Sequence, residues 1–103
     1  MARLKIYWTE TAIKQRNYIF DYWINRNGNR VYVSKLNSKI KDRIGLLPVQ
    51  PEIGRNTDIY NNKFLVLGHY SIFYQLKQSE IIITGFWDNR QDPSKLIKFL
   101  NQK

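Results

Sequence analysis

The sequence predicts an α+β fold in the order β-α-α-β-β-β-α, an antiparallel sheet with a helical hairpin packed on one face. Two observations carry this. From about residue 10 to residue 47, apolar side chains recur at helical spacing in two stretches joined by Asn27-Gly28. From Lys63 to Trp87 the chain turns to β-branched and aromatic residues, in three runs with connectors short enough to demand antiparallel hairpins. The 103 residues fit one domain, read as 1–103, and 43% hydrophobic with 15% aromatic residues can supply its core.

The elements follow in order. Arg3 to Trp8 alternates basic and apolar side chains, as a strand with one buried face at a sheet edge does. Thr9 is placed to cap a helix, and Glu10 suits the positive end of its dipole. Ala12, Ile13, Ile19, Phe20, Trp23 and Ile24 form that helix's apolar stripe, and Asn27-Gly28 ends it. A second helix carries Val33, Leu36, Ile40, Ile44 and Leu47 on one side and Lys35, Lys39, Lys41 and Arg43 on the other. Pro48, Pro51 and Gly54 mark Pro48 to Arg55 as a loop, and a short extended piece is read at Asp58 to Tyr60. Three strands then run over 63–67, 70–76 and 81–87, with Gly68-His69 and residues 77–80 as turns. The unbroken Ile81-Ile82-Ile83 run fits a central strand covered on both faces. Asp92-Pro93 opens a closing helix with Leu96, Ile97 and Leu100 as its stripe.

Charge narrows the function. Seventeen Lys and Arg against eight Asp and Glu leave a formal charge of +9, which calls for a polyanionic partner. There is no cysteine, so thiol chemistry, disulfides and Cys-based zinc sites are excluded, and no metal or cofactor is expected. The opening Met1-Ala2-Arg3-Leu4-Lys5 lacks the apolar core of a signal peptide, and no run approaches the ~20 apolar residues of a membrane span. The expected location is cytoplasmic, with no membrane partner.

Three segments carry a resemblance. Leu46-Leu47-Pro48 with Gly54-Arg55 resembles the helix-to-sheet passage of the RelE/ParE superfamily of bacterial toxins. Residues 68–75, Gly-His-Tyr-Ser-Ile-Phe-Tyr-Gln, resemble its central hairpin, with a Tyr opening one strand and a second four residues on. Residues 86–93, Phe-Trp-Asp-Asn-Arg-Gln-Asp-Pro, resemble its closing segment, where an Arg follows the last strand. The resemblance implies the toxin of a type II toxin–antitoxin system, neutralised by a cognate antitoxin. Its target would be DNA gyrase, as for ParE-type toxins, or ribosome-bound mRNA, as for RelE-type toxins, which are metal-free endoribonucleases. A non-toxic or degenerate basic module of the same fold, binding nucleic acid or protein, is the alternative.

Cleavage without metal needs a base, an acid and cations around the phosphate. The catalytic candidates are Arg90, whose guanidinium can clamp a phosphate, His69, the single histidine, and Tyr70 with its hydroxyl. Arg55 and Lys63 at the sheet entrance, with Lys35, Lys39 and Arg43 on the second helix, are candidate phosphate contacts. One departure bears on mechanism. Where RelE-type toxins carry basic residues on the strand before the central hairpin and just after its turn, this chain has Phe64-Leu65-Val66-Leu67 and Ser71.

Overall fold

A computed structural model of the chain describes residues 4–57 and 61–91. The elements are β1 (Lys5–Trp8), α1 (Glu10–Asn27), α2 (Val31–Gly45), β2 (Arg55–Asn56), β3 (Lys63–Leu67), β4 (Tyr70–Lys77) and β5 (Glu80–Asp88). Among the described residues the strands form one sheet in the order β1-β5-β4-β3-β2. The expected closing helix after Asp92 and the extended piece at Asp58 to Tyr60 lie outside the described residues.

The fold is α+β, with one correction to a wholly antiparallel sheet. β1 sits at the edge as expected but runs parallel to β5, Lys5 facing Glu80 and Trp8 facing Ile83. Two-residue turns force β3, β4 and β5 to alternate in direction. The excursion from β1 to the other strands is long enough to leave either direction open. A second difference is β2, where Arg55, the last residue of the stretch read as loop, and Asn56 pair with Phe64 and Lys63.

The caps work as the residue types require. The Thr9 hydroxyl oxygen accepts from the Ala12 amide at 3.1 Å and donates to the Ile83 carbonyl at 3.0 Å, so the cap of α1 also pins the helix to β5. Gly28 ends α1 at φ 72°, a left-handed conformation glycine adopts without strain. Asn29 then accepts from the Val31 amide at 3.0 Å and starts α2. Val33, Leu36, Ile40, Ile44 and Leu47 are all buried, as their spacing predicts, and all but Val33 share one cluster with Ile72, Tyr74, Ile81 and Ile83 of the sheet.

An irregularity in β5 decides what its far end does. Phe73 faces Gly85 but Tyr74 faces Ile83, so Thr84 is an extra residue on β5. The bulge flips the alternation. Ile81 and Ile83 face the helices, and beyond Thr84 it is Phe86 that joins them, while Trp87 packs with Phe73 in a second cluster against Phe64. Ile82 is half-buried, so the isoleucine run alternates after all.

Candidate functional site

The helix-facing end of β4 and β5 is organised around one phenol. Tyr70 is 2% exposed and stacks on Phe86 at 5.3 Å between ring centroids. Its hydroxyl accepts from the Trp23 indole N–H at 3.1 Å and shares a 3.1 Å hydrogen bond with the Tyr32 hydroxyl. One oxygen thus ties α1, α2 and β4 together. Burial, reinforced by Tyr32, pushes the Tyr70 phenol well above its ordinary range.

Tyr70 faces Asp88 across the β4–β5 ladder. Arg90, in the turn that follows, donates to the Asp88 carboxylate from Nε at 2.9 Å and from Nη2 at 2.7 Å, and its own amide reaches the same group at 2.9 Å. The Arg90 hydrogen bonds hold Asp88 below the usual carboxylate range, outweighing partial burial that acts the other way. The Arg90 side chain stays 47% exposed, on a cavity of about 450 Å³ lined also by Tyr18, Ile19, Tyr22, Trp23, Arg26 and Gln91. Arg26 lies over the Trp23 ring at 5.9 Å and donates to the Tyr22 hydroxyl at 3.4 Å. Tyr18 and Tyr22, 70% and 50% exposed, turn their rings to solvent one helical turn apart.

On the other side of Tyr70, His69 stands in the exposed β3–β4 turn, with Lys35 and Lys39 of α2 across a groove of about 280 Å³. The His69 carbonyl accepts from the Asn89 amide at 2.7 Å, which ties this turn to the start of the Arg90 turn. The remaining candidates are scattered. Lys63 is bound to Glu52 at 2.8 Å and to the Asn56 side-chain oxygen at 2.6 Å, facing away from this end of the sheet. Arg43 donates to the Val66 carbonyl at 3.0 Å, and Arg55 is exposed on β2.

The expected set therefore divides. Arg90, Tyr70, His69, Lys35 and Lys39 come together around one end of the sheet; Arg55, Lys63 and Arg43 do not join them. Lys63 is a matched cation rather than a free phosphate contact. Tyr70 is an interior hub, its hydroxyl already shared by two partners. Trp23, Tyr32 and Arg26 were missed as site residues because helical spacing reports burial and not what a polar tip reaches. A larger depression of about 670 Å³ lies at the β4–β5 turn, at the far end of the ladder from Asp88, with Lys77 and Glu80 as its charged lining. Among the described residues no group of three or more His, Cys, Asp or Glu could hold a metal ion, and no helix is long and apolar enough to cross a membrane.

Comparison with known proteins gives two findings. The family model described as the ParE toxin of the type II toxin–antitoxin system parDE matches residues 6–93. A solved chain from the chromosomal ParDE TA system of P. aeruginosa is similar in fold, with a TM-score of 0.70 at 20% identity, over 82% of this chain and 94% of that one. No curated protein matches the sequence.

Proposed function

Because this chain belongs to the ParE toxin family of type II toxin–antitoxin systems, we propose that it arrests growth by binding DNA gyrase and is neutralised by a cognate antitoxin in the cytoplasm. Binding, rather than cleavage of mRNA, is what the ion pairing favours. A metal-free ribonuclease keeps cations free to meet charge that develops on the phosphate. Here the Arg90 guanidinium is held by both oxygens of Asp88, Lys63 by Glu52, and the Tyr70 hydroxyl by Trp23 and Tyr32. The Arg90–Asp88 clamp is the observation that carries the reading. It presents a fixed guanidinium edge beside exposed tyrosines, a surface suited to recognising a protein.

In this reading Arg90 and Arg26 are contact residues, Asp88 positions Arg90, and Tyr70 stabilises the core beneath them. The alternative roles of Arg90 and His69 in cleavage are separable by experiment. Induction of the chain alone arrests growth, and co-expression of the antitoxin relieves it. Supercoiling by purified gyrase falls when the protein is added, while transcripts on translating ribosomes stay intact. Arg90→Ala abolishes both arrest and gyrase inhibition in a protein with an unchanged circular dichroism spectrum. Cut transcripts with normal supercoiling would overturn the gyrase reading in favour of the nuclease.

A further inference from the structure

The groove between α2 and the β3–β4 turn combines basic walls with an apolar floor. Lys35 and Lys39 stand one turn apart on α2, about 6 Å along its axis. His69 enters from the opposite wall, after Gly68, whose φ of 61° makes the tight turn. Leu36, Leu67 and the edge of Tyr70 form an apolar floor, and Tyr32 offers a part-exposed ring at one end.

The charge here is uncompensated. Among the described residues Lys14 is matched by Glu10, Lys63 by Glu52 and Arg90 by Asp88. Among the described residues neither Lys35 nor Lys39 has such a partner, and no described carboxylate lines the groove. Two ammonium groups held apart by one helical turn, at the rim of an apolar trough, have no evident role in folding.

We propose that this groove is a phosphodiester subsite for a single strand of nucleic acid. Lys35, Lys39 and the His69 imidazole surround one backbone phosphate, and the neighbouring sugar and base lie on the Leu36–Leu67 floor against the Tyr32 ring. A compact ammonium pair suits phosphate as point charges, and every base has a π-face that a tyrosine ring accepts without regard to sequence. The volume, about 280 Å³, holds a nucleotide-sized unit rather than a folded domain. This site is distinct from the Arg90 surface, and it stands whether the target of arrest is gyrase or mRNA.

The test uses the purified full chain and a short fluorescein-labelled single-stranded DNA, with binding read by anisotropy over a range of salt. The double variant Lys35→Gln/Lys39→Gln binds about tenfold more weakly, with a salt slope shallower by about one to two. A charge-matched control on exposed residues outside the groove, Lys5→Gln/Lys41→Gln, loses no more than about threefold. His69→Asn weakens binding as well, and circular dichroism checks that each variant is folded. Equal losses in the groove and control variants would reduce the site to diffuse attraction and overturn it. So would absence of binding by the parent chain. Displacement of the labelled strand by poly-glutamate as effectively as by unlabelled DNA would instead assign the groove to an acidic peptide.

Discussion

The Arg90 guanidinium meets the Asp88 carboxylate in a two-point clamp, 2.9 Å from Nε and 2.7 Å from Nη2, within a span of three residues. So local a pair sets the direction of a side chain more than it stabilises the fold. With Arg90 nearly half exposed, it contributes under about 1 kcal/mol. Asp88→Asn therefore lowers the melting temperature only slightly near neutral pH, yet weakens growth arrest by letting Arg90 swing. The pH dependence has a definite sign. Asp88 titrates lower in the folded chain than in the unfolded one, so its contribution is complete above about pH 4 and is lost as pH falls through the folded value. The parent and Asp88→Asn melting curves converge in acid and separate above it.

Tyr70→Phe tests whether the buried hydroxyl is structural. The substitution leaves the Trp23 N–H, which can only donate, without its acceptor, and takes a partner from Tyr32. A cost of about 1–2 kcal/mol is expected in urea unfolding. Arrest per folded molecule is retained. Loss of arrest at full stability would return the hydroxyl to the chemistry.

Alkaline titration gives a second view of the same core. Burial raises the phenols of both Tyr70 and Tyr74 above their ordinary range. Both stay neutral in the folded chain while their unfolded counterparts ionise near pH ~10, so stability holds below that value and declines above it. Two of the seven tyrosines ionise late in an absorbance titration of the native protein, and in step with unfolding.

Gly54 is needed for closeness rather than for backbone freedom. Its amide donates to the Tyr74 hydroxyl at 2.9 Å, and that hydroxyl donates to the Pro51 carbonyl at 2.9 Å. A Cβ at this position would fall 2.6 Å from Cε1 and 2.8 Å from Cζ of the ring. Gly54→Ala destabilises by about 1–3 kcal/mol. Adding Tyr74→Phe removes the nearest atom but leaves the ring, so the double variant recovers only part of the loss in chemical denaturation.

Much of the fold was legible because its signals are local. The α2 stripe from Val33 to Leu47, the Thr9 cap and the Gly28 stop each depend on residues within a turn or two, and all lie where their types place them. The direction of β1 was not legible, since a strand's own pattern does not encode which way its neighbour runs. The bulge leaves a trace in the sequence: Gly85 in the middle of an otherwise apolar strand marks the adjoining Thr84 irregularity. The site was half legible. Arg90 and His69 follow strands and were easy to single out. Their partners Trp23, Arg26 and Tyr32 come from helices whose spacing speaks only of burial, and the capture of Lys63 by Glu52 spans a loop.

The parallel placement of β1 bears on when the protein can exist at all. Lys5 waits for Glu80, and Thr9, at the head of the helix that carries Trp23 and Arg26, waits for Ile83. Contacts so far apart along the chain are slow to form, since a long loop must close before either is rewarded. During synthesis the first strand and the foot of α1 therefore remain without their neighbours until the ribosome has made nearly the entire described chain. Translation halted part-way would leave the α1 side of the arginine surface without its anchor on β5.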